Sequence, residues 1–153
     1  MARLFLDTSA LVKRYHPEAG TAVVDRLADD PANELVISRL TLVEATSVFA
    51  VKTRTGEIPP GGFERLRKLL ASHVARGRYR VARMRASHYA RAQRLIRDHG
   101  TARQIRTLDA LQLAVALELH WAAPLDSFVC ADQRLCNLAA GEGLAVLNPE
   151  ASP

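Results

Sequence analysis

The chain has 153 residues, a formal charge of +5, and 48% of its residues are apolar. That length suits one domain, residues 1–153, with a core that needs no disulfide or metal staple. No apolar run approaches the roughly 20 residues of a membrane-spanning helix. Asp7 interrupts the apolar start before the core of a signal peptide could form. The two cysteines, Cys130 and Cys136, are too few for a disulfide framework and are expected to be reduced core residues of a cytoplasmic protein.

The charge is unevenly spread. From Arg65 to Arg106 there are thirteen Lys or Arg against a single acid, Asp98, while the remainder carries eight basic and fifteen acidic residues. A basic middle joined to an acidic rest is what a polyanionic partner would require; the plainer reading is a solvated helix face rich in arginine.

In chain order, Leu4-Phe5-Leu6 is a short apolar run of the kind that forms a buried parallel strand. Thr8–Tyr15 reads as a short helix ended by His16-Pro17, and Glu18–Asp29 as a second, stopped by Asp30-Pro31. A second strand, Leu35–Ser38, leads into a long helix from Leu40 to about Arg54. Gly56 and Pro59-Pro60-Gly61-Gly62 then punctuate the chain strongly. Phe63 to about Ala75 has helical spacing, Tyr79–Met84 alternates with arginine as an edge strand would, and Ser87–His99 is again an amphipathic helix. Thr107–His120 is apolar nearly all round, which predicts a buried helix. A fourth strand (Ser127–Ala131), a helix (Asp132–Ala140) and a fifth strand (Leu144–Leu147) complete the chain. Strands alternating with helices predict a three-layer α/β/α fold around a five-stranded parallel sheet. Right-handed crossovers then gather the loops after the strands along one edge.

Four acids fall at that edge. Asp7 ends the first strand and Asp132 follows the fourth; Glu44 lies inside the apolar stretch Leu40–Ala45, and Asp109 in the first turn of the most hydrophobic helix. Each has a structural alternative. Asp7 and Asp132 are good N-caps, and Asp109 is favoured by the helix dipole; Glu44, mid-helix among apolar residues, is hardest to explain that way. Like charges buried together need a cation or protonation, and an all-oxygen set favours Mg²⁺ or Mn²⁺ over zinc. Beside a basic surface, such a pocket fits a nuclease. The five histidines are scattered; His99 and His120, at helix C-termini, read as structural.

The segments LFLDTSALVK, VISRLTLVEA, LDALQLAVA and FVCADQRL together resemble the PIN-domain ribonucleases, most of all the VapC-type toxins of toxin–antitoxin modules. The resemblance runs over essentially the whole chain. It implies the strand order 3-2-1-4-5 and Mg²⁺- or Mn²⁺-dependent cleavage of RNA. Asp7, Glu44 and Asp109 match the family's main metal-binding acids and Asp132 its less constant fourth, with the hydroxyls of Thr8, Ser9 and Ser38 as supports. A homodimer and a cognate antitoxin are the implied protein partners. Leu42, Val43, Val48, Phe49 and Val51, with Leu66, Leu69 and Leu70, offer more apolar surface than one helix pair needs, though core packing also accounts for them. One departure is Cys130, where members often carry threonine; a thiol is a poor donor, so Asp132 is expected to be weakly supported.

Other readings use the same residues. A phosphatase or phosphotransfer domain could employ Asp7 as nucleophile, but the haloacid-dehalogenase pattern wants a second Asp where Ser9 stands, and a receiver domain wants a lysine after a late strand. A catalytically silent RNA- or protein-binding module of the same fold is the remaining alternative.

Overall fold

The computed structural model describes residues 1–151. Strand β1 (Arg3–Leu6) runs into a four-residue helix, α1 (Thr8–Leu11), which tightens into a 3-10 turn over Val12–Arg14. Then come α2 (Thr21–Asp29), β2 (Glu34–Ser38), α3 (Arg39–Arg54), α4 (Gly62–Ala75), β3 (Arg80–Ala82) and α5 (Ala86–His99). The buried helix α6 (Thr107–Ala122), β4 (Ser127–Val129), α7 (Gln133–Gly141) and β5 (Val146–Leu147) follow. The five strands form one sheet in the order β3-β2-β1-β4-β5, every pair parallel.

Alternation along the central strands divides the core in two. Leu4, Leu6, Leu35, Ile37 and Val129 pack on one face against α1 to α4, through residues such as Leu11, Val24, Phe49 and Leu66. Phe5, Val36 and Phe128 point to the other, where α5, α6 and α7 supply Leu95, Leu113 and Leu135. The Phe5 and Phe128 rings stack across β1 and β4 with centroids 5.6 Å apart. These rings anchor the two strands whose carboxyl ends carry Asp7 and lead to Asp132.

The elements predicted from periodicity are all present, several of them shorter. The helix expected from Glu18 starts at Thr21, because Gly20 sits in the left-handed region at φ 84°. A Cβ there would lie 2.8 Å from the Pro149 carbonyl oxygen, so the start of α2 and the chain's last turn pack backbone to backbone. The expected helix Thr8–Tyr15 is α-helical only to Leu11, since beyond it Lys13 turns inward. That lysine is 2% exposed and its ammonium meets Glu18 at 3.0 Å and Glu150 at 2.5 Å. The third strand keeps only Arg80–Ala82 of the expected Tyr79–Met84: the Tyr79 ring is buried, its hydroxyl 3.1 Å from that of Tyr15. The fourth and fifth strands are likewise trimmed, to Val129 and to two residues.

Among the described residues no helix is long and apolar enough to cross a membrane. Both cysteines are free thiols and buried. The stacked ring pair sets an expectation for stability: Phe128→Ala, which opens a cavity between β4 and α6, costs about 3–5 kcal/mol, measurable as a lowered midpoint with unchanged slope in urea denaturation.

Candidate active site

In the order 3-2-1-4-5 the chain leaves β1 toward β2 on one side and returns to β4 on the other. The carboxyl ends of β1 and β4 therefore flank a topological switch point, where ligands bind in open parallel sheets. Asp7 immediately follows β1 and Asp132 stands three residues past β4. Helices α3 and α6, from opposite faces of the sheet, bring Glu44 and Asp109 to the same edge.

Asp7 is 5% exposed. It caps α1 and does so with one oxygen: Oδ2 accepts the Ser9 amide hydrogen at 3.0 Å and the Ser9 hydroxyl at 2.7 Å. Ser9 Oγ in turn accepts the Ala131 amide at 2.9 Å, tying the β1 and β4 loops together. Asp132 caps α7 in the same fashion, Oδ1 accepting from the amides of Arg134 (2.8 Å) and Leu135 (3.2 Å). Its Oδ2 lies 3.9 Å from the Arg106 guanidinium. Asp132 thus caps a helix and also lines a cavity with Asp109, whereas Asp7 caps α1 from a buried position.

The weak support expected for Asp132 from Cys130 is not how that carboxylate is held. The Cys130 thiol points to the Asp132 backbone carbonyl, 3.4 Å away, and the two helical amides fix the carboxylate instead. Contact with Cys136 and burial raise the Cys130 pKa far above its ordinary range, so it stays a thiol.

Glu44 is held by residues from two other elements. Its Oε1 accepts from Gln112 Nε2 at 2.6 Å and from the Thr8 hydroxyl at 3.0 Å. Gln112 is wholly buried on α6, one turn beyond Asp109. Its Nε2 lies 3.0 Å from Thr8 Oγ1 and 2.9 Å from Thr41 Oγ1, and its Oε1 accepts from the Ser38 hydroxyl at 2.8 Å. Ser38 also caps α3 through the Thr41 amide. This polar knot joins β2, α1, α3 and α6 beneath the acids, and Gln112 and Thr41 are members that sequence patterning passes over. The available signal was a lone amide side chain in an otherwise apolar run, three residues after an acid.

The electrostatics show the convergence. Burial raises the pKa of Asp7 against the hydrogen bonds from Ser9 and Thr8, and Asp132 adds to the rise. Burial likewise raises Glu44, with Asp7 contributing. Asp109 is pushed up to about 6, first by burial, then by Asp7, with Asp132 and Glu44 adding and Arg106 opposing. The first turn of a helix favours a negative charge; here desolvation and three neighbouring acids prevail. Among the described residues, however, no three Asp, Glu, His or Cys side chains stand close enough to grip one ion together. The set therefore fits a hard cation in chemistry rather than as a closed cage. Mg²⁺ suits such a place, because it retains several waters and usually takes only one or two carboxylates.

Around the acids the basic stretch is partly neutralised. Arg67, Arg78, Arg80, Arg85 and Arg97 pair with Glu64, Asp29, Glu34, Glu118 and Asp98 respectively, while Arg91 lies over the exposed Trp121 ring at 4.0 Å. Arg103 and Arg106 line the cavity that contains Asp109 and Asp132. The histidines stay outside: His99 meets Glu142 at 2.7 Å, and His120 Nδ1 accepts the Leu125 amide.

A parallel α/β sheet with acids gathered at its switch point belongs to the open α/β class, whose ligands bind at that edge. Residues 4–141 match the PIN domain family, and the chain belongs to it. No curated protein matches the sequence. Among solved structures it is similar to VapC20 of Mycobacterium tuberculosis, a toxin that cleaves the sarcin-ricin loop, with a TM-score of 0.70 and 16% identity over 98% of this chain and 99% of that one. It is also similar to FitAcB of Neisseria gonorrhoeae (TM-score 0.66, 19% identity, 95% and 97% covered). VapBC2 of Rickettsia felis, solved with a DNA fragment from its promoter, gives 0.62 and 16% over 95% and 98%. At these identities the likeness establishes the fold.

Two expectations follow from the charges and the knot. A carboxyl whose folded pKa is raised binds more protons folded than unfolded, so stability falls as pH rises from about 4 through 6 and the loss persists above. Asp109→Asn is therefore more stable than the parent at pH 7.5, by about 1–2 kcal/mol after allowing for water around a half-buried group. Thermal melts at pH 4.5 and 7.5 should show the gain shrinking in acid. Conversely, Gln112→Leu leaves buried hydroxyls and Glu44 without their partner and costs about 1–3 kcal/mol, read by chemical denaturation.

Proposed function

We propose that the chain is a metal-dependent endoribonuclease that acts as the toxin of a type II toxin–antitoxin pair. What supports this is the gathering of acids at the carboxyl edge of the sheet, Asp7 after β1 and Asp132 after β4, with Asp109 near enough to Asp7, Asp132 and Glu44 for each to raise its pKa. In this reading Asp7, Glu44 and Asp109 hold Mg²⁺ or Mn²⁺, directly or through water, and Asp132 completes or tunes the site. The ion, when bound, supplies an activated water and neutralises charge on the phosphoryl group during in-line displacement. The protein's own groups set the stage. Ser9 orients Asp7, while Thr8 and Gln112 fix one oxygen of Glu44. Ser38 secures Gln112 from below. Arg103 and Arg106 attract the phosphate backbone to the rim.

The partners in this reading are RNA, a cognate antitoxin and a second copy of the chain, in the cytoplasm. Support for a protein partner comes from an apolar groove of about 350 Å³ between α3 and α4, lined by Leu42, Leu70, Ala71 and Val74. Val43, Val51 and Leu69 are exposed on the same helices. Phe49 and Leu66, by contrast, are core residues, and Leu70 at the groove wall is itself largely buried.

One observation favours a second reading, a silent binding module: no three acids are poised around a common point among the described residues. Incubation with RNA separates the two. The nuclease reading expects cutting with Mn²⁺, none in EDTA, and at least a 100-fold loss in Asp7→Asn. Cutting that survives EDTA or the substitution contradicts the metal mechanism, and binding without cutting under every condition favours the silent module.

A further inference from the structure

Beside Asp109 and Asp132 opens a cavity of about 580 Å³ whose walls belong to two segments. One is the connection between α5 and α6, contributing Arg103, Gln104 and Ile105; the other is α7, contributing Arg134 and Asn137. Arg134 Nη1 donates to Gln104 Oε1 at 2.5 Å and clasps the walls together. Neither Arg103 nor Arg134 forms an ion pair with an acid among the described residues, although six other arginines of the basic stretch do, Arg106 on the same cavity among them. The cavity floor is aliphatic: Leu135 and Leu138 are buried and Ile105 is half-buried.

These features divide as a nucleotide does. Uncompensated guanidiniums at the mouth match a phosphate, an apolar floor matches the face of a base, and side-chain amides match its edge. The volume falls within the roughly 300–1,000 Å³ that encloses a drug-sized ligand, the size class of one nucleotide. A paired base cannot enter such a recess, whereas single-stranded RNA can splay one out. We propose that this cavity receives one unstacked nucleotide of single-stranded RNA adjoining the scissile phosphate, with Arg103 and Arg134 on its phosphate and the amides of Gln104 and Asn137 reading its base. The proposal rests on the nuclease reading above and adds the place where sequence preference arises. Arg134 and Asn137 lie outside the basic stretch, so charge density alone does not point to them.

The test uses the full chain and a fluorescein-labelled single-stranded RNA in EDTA, so that binding is read apart from cleavage. The double variant Arg103→Ala/Arg134→Ala should bind about tenfold more weakly, with a flatter dependence on salt. Arg103→Ala alone, which removes no side-chain contact seen in the structure, should show a smaller loss in the same direction; thermal melts verify that both are folded. Asn137→Leu, cutting a random-sequence RNA pool with Mn²⁺, should keep its affinity within twofold and change the base preference at one position beside the cut. Unaltered affinity and salt dependence in both arginine variants, or an unaltered base preference in Asn137→Leu, overturns the nucleotide site. Asp7→Asn in the same assay keeps the two readings apart: if it abolishes cutting while the cavity variants behave as the parent, the cavity proposal fails and the nuclease reading stands. Cutting by Asp7→Asn overturns the nuclease reading, on which the cavity proposal depends.

Discussion

The repulsion among carboxylates at the switch point is the constraint to which the rest of this structure answers. Without a counter-charge, folding has to desolvate Asp7, bring Asp109 and Glu44 toward it, and accept raised pKa values as the result. The scaffold offsets that cost with features that face away from solvent. Two hydrophobic cores sandwich the strands that carry the acids, and the stacked Phe5 and Phe128 rings bind β1 to β4 directly behind them. The acids are placed by rigid elements rather than by mobile loops, so their repulsion is maintained instead of relaxing outward.

Positioning falls to neutral groups. Serine, threonine and glutamine donors hold Asp7 and Glu44 without neutralising them. Asp132 is held by backbone amides at a helix N-terminus. A lysine or arginine bonded to each acid would stabilise the fold more and leave no negative potential for a cation. The nearest guanidinium, on Arg106, stands 3.9 Å from Asp132 and opposes rather than cancels the rise at Asp109. The proposed function assigns the remaining negative potential to a cation from outside the chain.

Much of this was legible in the letters, for identifiable reasons. Asp7 and Asp132 follow apolar runs too short to be anything but strands, and Glu44 and Asp109 interrupt apolar helix faces, so both their elements and their shared edge follow from alternation and handedness. Gln112 was not legible: an uncharged amide in a buried helix carries no sign of the four hydroxyl and carboxyl groups it joins, which come from segments up to 104 residues away. Lys13 carries no local sign of its burial, which depends on Glu150, near the other end of the sequence. Tyr79 counted as strand by alternation because its hydroxyl contact with Tyr15 lies beyond local pattern. Cys130 was read for what a thiol cannot donate to a carboxylate, whereas the structure turns it to a backbone carbonyl. For Gln112, Lys13 and Tyr79 the deciding partner is distant in sequence.

The central claim is that these acids exist to hold a hard divalent ion, and anomalous scattering from crystals soaked in Mn²⁺ addresses it without recourse to activity. The account predicts a strong peak at roughly 2.1–2.2 Å from an Asp7 carboxylate oxygen, with Glu44 or Asp109 ligating directly or through an ordered water. Full Mn²⁺ occupancy on surface carboxylates alone, with no peak beside Asp7, would contradict it.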